Sequence, residues 1–227
     1  MPINSTGNGA PAGPSSLTGA ALDTTPSFVA KIIHKWSGGE VGLSGMARRV
    51  TLDNGGGGGG VGQLDASTTG YGLNAGVDWA LAKHWKLGAQ FLWGEGLGIY
   101  GGGGYSSGNN HFITVQGFNP GNFSIDPVRT LGGSAYIQWR FTDTMRLNVL
   151  YGREQYSYDL PKSAIPSPGT TIAASIPNWI DEIYANVMWE PVPAVNIGFQ
   201  YMYGLGSLIN GPNAKQSRLE LAFRYTF

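Results

Sequence analysis

The chain contains no cysteine. That absence excludes disulfide scaffolds, thiolate metal sites and cysteine nucleophiles. Charge is scarce as well: charged residues make up 12% of the chain, about half the share usual in a soluble domain, and Lys plus Arg balance Asp plus Glu at 14 each. A neutral chain with no basic stripe lacks the electrostatic footprint of a nucleic-acid binder. No run of apolar residues approaches the roughly 18 needed for a membrane-spanning helix. A membrane is not thereby excluded, because a barrel strand crosses it with about 9–11 alternating residues. The opening MPINSTGNGAPAGPSS has neither a basic start nor an apolar stretch, so it does not read as a signal peptide. An exported protein needs one, which places it upstream of this sequence or among residues already removed.

What the chain has in abundance is glycine, 37 of 227 residues, and aromatics at 12%. Without a period of three, this composition points to many strands joined by loose loops. The last residues show the pattern most plainly. Leu219, Leu221, Phe223, Tyr225 and Phe227 fall on one face, and Arg218, Glu220, Ala222, Arg224 and Thr226 on the other. Successive strand side chains point to opposite faces, so this is an apolar row backed by a polar one. A terminal Phe preceded two residues earlier by Tyr resembles the assembly signal of bacterial outer-membrane barrels, which implies recognition by the barrel-assembly machinery.

Eight earlier stretches repeat the alternation. They are SFVAKIIHKW, GEVGLSGMARRVTLD, TGYGLNAGVDWAL, HWKLGAQFLWGEG, LGGSAYIQWRF, MRLNVLYGREQYSYDL, NWIDEIYANVMW and AVNIGFQYMYGLG. In the second, Arg49 followed by Val50 breaks the pattern and predicts a bulge or the strand's end. Connections after Trp36, Leu81, Phe141 and Trp189 are short, whereas those after Asp53, Leu97, Leu160 and Leu208 are mostly long and rich in Gly, Asn or Pro. Short turns at one end and long loops at the other are the outer-membrane rule. Trp36, Trp79, Trp85, Trp139, Trp189 and Phe227 all lie beside the short-turn end, as an aromatic girdle at one membrane interface would. A soluble sandwich also alternates but has no reason to gather tryptophans at one end.

The fold expected is therefore all-β, an antiparallel transmembrane β-barrel. Residues 1–25 form a flexible N-terminal loop segment, and 26–227 carry the strands and long extracellular loops, notably 97–130. Nine strands are an odd number, whereas bacterial single-chain barrels have even ones. The expectation is a C-terminal portion of a larger porin, whose first and last strands do not pair as a closed seam.

TPSFVAKIIHKWSGGEVGLSGMARRV carries a Pro-x-hydrophobic-Val-Ala strand turning into a Leu-Ser-Gly strand that ends in arginines. This hairpin resembles DcaP-like porins of Gram-negative bacteria, and RLELAFRYTF is similar to the endings of trimeric porins generally. The resemblance implies a sixteen-stranded homotrimeric porin with a periplasmic helical segment that has no counterpart in this sequence. It also implies uptake of small anions, particularly dicarboxylates.

Alternation assigns the lumen-facing charges. Lys31, Lys35, Arg48, Lys86, Arg140, Arg146, Arg218 and Arg224 are basic; Asp78, Glu154, Glu182 and Glu220 are acidic. The basic excess favours anions, unless neighbouring strands neutralise one another, as Arg218 and Glu220 do on one strand. Segment 97–130 serves either as an inward constriction or as an extracellular loop. Its apolar part, HFITVQGF, would contact a neighbouring subunit. The GGGGGG run lacks a following GlyLys and a helix, so it is not a phosphate loop. His34, His84 and His111 lack metal-ligand spacing.

The reading is an outer-membrane porin, a passive diffusion channel for small hydrophilic solutes with a preference for anions. It needs no catalysis, cofactor or metal, touches outer-membrane lipid and lipopolysaccharide, and binds no nucleic acid. The alternatives are an outer-membrane barrel enzyme of protease or lipase type, and a plugged structural or adhesive barrel.

Overall fold

The computed structural model describes residues 20–21, 25–53, 65–97, 112–116, 123–158, 177–209 and 211–226. Among these residues twelve strands occur in chain order: β1 (Ala20–Ala21), β2 (Phe28–Trp36), β3 (Gly39–Asp53), β4 (Asp65–Ala82), β5 (Trp85–Glu95), β6 (Phe112–Gln116), β7 (Phe123–Pro127), β8 (Arg129–Arg140), β9 (Met145–Ser157), β10 (Pro177–Val192), β11 (Val195–Leu208) and β12 (Asn213–Tyr225). The nine long ones are the nine read from alternation. They form a single antiparallel sheet in sequence order, with β6 and β7 set apart as their own hairpin. The short turns are stitched into the sheet. The carbonyls of Gly38, His84, Thr144 and Ala194 each accept a backbone N–H from a neighbouring strand end, those of Ala80, Arg140, Glu190 and Thr226 respectively.

β2 pairs only with β3, and β12 only with β11. Among the described residues the first and last long strands therefore form no seam, as expected, and the sheet is a barrel wall with two open edges.

Three expectations change. Arg49 marks neither a bulge nor a strand end: β3 stays in register with β4 from Gly39↔Trp79 to Asp53↔Asp65. Arg49 simply takes its turn on the outer face. β10 runs past Trp189 to Val192, with one of its two register irregularities inside the stretch read as a turn and the other at its start, between Pro177 and Trp179. The long segment after β5 is not wholly irregular, since it contains the β6–β7 hairpin. Phe227, His111, most of 1–25 and the glycine runs lie outside the described residues. Ala20 and Ala21 pair with the far end of β3.

The girdle tryptophans reveal the stagger of the wall. Trp36 faces Gly39, which faces Trp79. Trp79 faces Leu87, so Trp85, opposite Trp139, sits two residues nearer the turns. Trp139 faces Leu147, and Met145, two residues further, faces Trp189. Trp189 faces Ile197, and Val195, again two further, faces Tyr225. A one-directional slip of this kind is the shear that tilts strands in a barrel. It also brings Trp85 and Trp139 into parallel stacking, with ring centroids 5.4 Å apart.

The face assignment makes a sharp prediction. Ala135→Arg, in the middle of the outward row of β8, should cost about 2–4 kcal/mol of folding free energy in lipid vesicles. Ser134→Arg, one residue away on the other face, should cost far less. Equal costs in a denaturant titration would show that the two faces are not lipid and lumen.

Candidate functional site: the polar face of the wall

The register places Lys31, Lys35, Arg48, Lys86, Arg140, Arg146, Arg218, Arg224, Asp78, Glu182 and Glu220 on one face of the sheet, together with Glu154. Two carboxylates escaped the sequence reading. Glu40, at the start of β3, lies 3.3 Å from the Lys35 ammonium. Glu190, within the longer β10, accepts hydrogen bonds from Arg146 at 2.5 Å and from the Asn196 amide at 2.9 Å. Its parity with Asn186 and Met188 was visible, but the following prolines made it look like part of a turn. Lys86 pairs with Asp78 at 2.7 Å and Arg218 with Glu220 at 3.0 Å.

Much of this face is therefore locally neutralised. Among the described residues, eight cations on this face meet six carboxylates, counting Glu40 and Glu190, and four ion pairs join them. Among the described residues, Lys31, Arg140 and Arg224 have no carboxylate partner, and neither Glu154 nor Glu182 has a cationic one.

A second feature has no charge signature and went unread. Gln138, Asn148, Asn186, Gln200 and Glu220 are direct partners across five adjacent strands. Gln138 Nε2 donates to Asn148 Oδ1 (2.7 Å), Asn148 Nδ2 to Asn186 Oδ1 (2.6 Å), Asn186 Nδ2 to Gln200 Oε1 (3.3 Å) and Gln200 Nε2 to Glu220 Oε2 (2.8 Å). An ionised carboxylate only accepts. Glu220 therefore forces Gln200 to present its nitrogen, which turns the Gln200 oxygen toward Asn186, and the constraint passes along the row. Arg218 holds the other Glu220 oxygen.

Glycines on this face give room to larger neighbours. A Cβ on Gly88 would lie 2.0 Å from the Tyr136 ring, so that ring covers the glycine backbone. At the loop end, Gly96 takes φ 61°, a left-handed conformation that a side chain would strain. The turn places Leu97, 1% exposed, against Gly72 and Gly94, where an added Cβ would meet its Cδ2 at 2.3 and 2.5 Å. Arg48 Nη1 donates to the Leu97 carbonyl at 3.2 Å, and Gly96 N to the Val128 carbonyl at 3.0 Å. Val128 is itself buried and packs with Tyr156, Tyr158 and Ile180. Both feet of the 97–128 segment are thus bound to the polar face, while β7 runs alongside β4. Beyond β9, Tyr158 donates to the Pro177 carbonyl at 2.5 Å. Burial, and secondarily the charge of Glu154, raise its ionisation above the usual tyrosine range, keeping it a neutral donor.

His34 and His84 lie near the short-turn end, His34 stacked on Trp36 with centroids 6.2 Å apart. Among the described residues no three His, Asp or Glu side chains gather where a metal could bind.

No protein-family model and no curated protein matches the sequence. Solved structures match its fold. The chain is similar to the outer membrane channel DcaP of Acinetobacter baumannii over 96% of its own length, with TM-score 0.69 and 17% identity. It spans 56% of that channel's length. The CymD monoaromatic hydrocarbon channel superposes over 88% of this chain and 50% of its own, at 11% identity and TM-score 0.47. The first of these superpositions shows that the wall shares its fold with part of a solved outer-membrane β-barrel.

Two predictions test this face. In a double-mutant cycle, Asn148→Leu and Gln200→Leu, which share only Asn186, should be non-additive by about 0.5–1 kcal/mol in denaturant unfolding; strict additivity would reduce the row to independent pairs. Gly72→Val and Gly94→Val should expel Leu97 and speed protease cleavage within 98–127. Gly204→Val, where an added Cβ has nothing nearer than 3.8 Å, should leave that rate unchanged.

Proposed function

We propose that this wall belongs to an outer-membrane porin of a Gram-negative bacterium, through which small hydrophilic solutes diffuse passively, anions preferentially. The observation that supports it best is the division of the sheet. One face carries the exposed row that includes Phe28, Leu43, Phe91, Ile183, Phe199 and Leu221; the other carries the charges and amides. A wall with lipid on one side and water on the other needs that arrangement over the whole width of the sheet, and the tryptophans gathered at one end suit a membrane interface rather than the buried face of a sandwich. The similarity to a solved outer membrane channel supports the same reading.

Anion preference rests on the balance of the polar face. Eight cations against six carboxylates leave a modest positive excess, smaller than the sequence alone implied. Lys31, Arg140 and Arg224 carry it. Solutes would be drawn by this field and would slide past the amide row, without covalent chemistry or a cofactor. Dicarboxylates are the solute class we propose, and a homotrimer the assembly. The segment anchored by Leu97 and Val128 is the element we place at the constriction. Phospholipid and lipopolysaccharide would surround the apolar face, and the closing strand would engage the barrel-assembly machinery.

Planar-bilayer recording in a salt gradient tests the reading. Arg140→Gln with Arg224→Gln should move the reversal potential toward cations. Arg146→Gln or Arg218→Gln, each leaving Glu190 or Glu220 without its guanidinium, should move it at least as far per charge removed. Absence of channels, or a potential indifferent to all four substitutions, would remove these residues from the solute path.

A further inference from the structure

We propose that the outward face carries, at its loop-side border, a belt of arginines that binds phosphate groups of the glycolipid in the outer leaflet. The proposal rests on the reading of the sheet as an outer-membrane wall, but not on its being an anion channel.

The belt lies on the lipid-facing rows, not the polar face. Arg49 and Lys215 are exposed there, Arg49 Nη2 donating to Ser67 Oγ at 3.0 Å. Arg129 Nε meets Glu95 Oε1 at 2.9 Å, and Arg153 Nη1 meets Asp181 Oδ2 at 3.4 Å. The Arg153 guanidinium also lies over the Trp179 ring, 5.4 Å from its centroid, and Tyr151 donates to Asp181 at 3.2 Å. The arginine side chains at the two ion pairs remain 60% and 51% exposed, while their carboxylate partners are 17% and 19% exposed. The carboxylates thus hold the guanidinium groups against the wall and leave them facing outward.

The belt runs parallel to the tryptophan girdle. Ten residues separate Trp85 from Glu95, Trp139 from Arg129 and Tyr225 from Lys215, and eight separate Met145 from Arg153 and Trp189 from Asp181. The belt repeats the girdle's slip: Arg49 faces Thr69, Arg129 faces Glu95, and Arg153 faces Asp181 and through it Leu205 and Lys215. Ten residues at about 3.3 Å, tilted by roughly 40°, rise about 25 Å. That is the height of an outer-membrane apolar band, so the belt sits at headgroup level. Among the residues whose side chains are described, the belt holds four cations against two carboxylates and is net positive; Asp53 and Asp65 face each other four residues beyond Arg49 and Thr69. Guanidinium forks fit phosphate oxygens in pairs, which a zwitterionic surface does not require.

The test uses the protein refolded in detergent and titrated with fluorescent lipopolysaccharide, with the same lipopolysaccharide after enzymatic dephosphorylation, and with phosphatidylcholine and phosphatidylglycerol vesicles. Binding should weaken about tenfold or more when the phosphates are removed, and by a similar factor in Arg49→Gln/Arg129→Gln/Arg153→Gln. Arg140→Gln/Arg224→Gln, on the opposite face, should bind normally. Arg129→Lys alone keeps the charge but loses the fork and should show a smaller loss, so the proposal stays testable if the triple variant folds poorly. Equal binding of the dephosphorylated lipid, or unaltered binding by the triple and single variants, would overturn it. So would equal binding of phosphatidylglycerol, which would make the belt a general anionic surface. Conductance recorded on the same preparations separates the two readings, because the belt variants should keep their channels.

Discussion

In a bilayer the backbone has no water to bond with, so each strand must satisfy its N–H and C=O groups on its neighbours. This requirement governs the wall. It explains why β3 and β4 stay in register for their whole shared length, and why even the turn carbonyls of Gly38, His84, Thr144 and Ala194 are used. Pairing this continuous fixes the parity of every side chain, and parity then sorts the residues into two faces. The same requirement leaves a demand at β2 and β12. Each has one partner, and each is exposed along its described length. Unpaired strand edges in hydrocarbon cost several kcal/mol per group, so among the described strands β2 and β12 are the two whose outer edges a membrane would leave with an unmet demand.

How much of this was legible in the sequence follows from what parity can carry. The nine strands, the apolar rows and the tryptophan girdle depend only on alternation and could be read directly. Arg49 could not, because a lone outward charge looks like an error until one knows where the membrane ends. It sits at that border, facing Thr69 of β4, two residues from the Tyr71 that faces Glu95 and, through it, Arg129. Glu190 was hidden by the prolines after it, since β10 keeps its course to Val192 through an irregular register.

The amide row and the Leu97 slot were out of reach for a different reason: both depend on which residues lie opposite one another on different strands. Asn148, Asn186 and Gln200 each look like ordinary lumen polarity in their own strand. Only the stagger sets them in line with Glu220. Likewise Gly72 and Gly94 belong to different strands, and what makes them a pair is the one side chain that fills both spaces.

The polar face shows why a count of charges is a poor measure of selectivity. Arg146 and Arg218 both count among the eight cations of this face, yet each is bound to a carboxylate close enough to cancel much of its distant field. The pairs hold neighbouring structure instead: Glu190 joins Arg146 to Asn196, and Glu220 joins Arg218 to the amide row. The field that extends beyond the face is left to groups with no such partner. Arg140 and Arg224 lie near the short-turn end, Glu154 and Glu182 toward the loop end. Even with Arg48 at the loop end, the polar face is more basic toward the turns than toward the loops, and on the function proposed above that gradient, more than the net charge, is what an anion would meet.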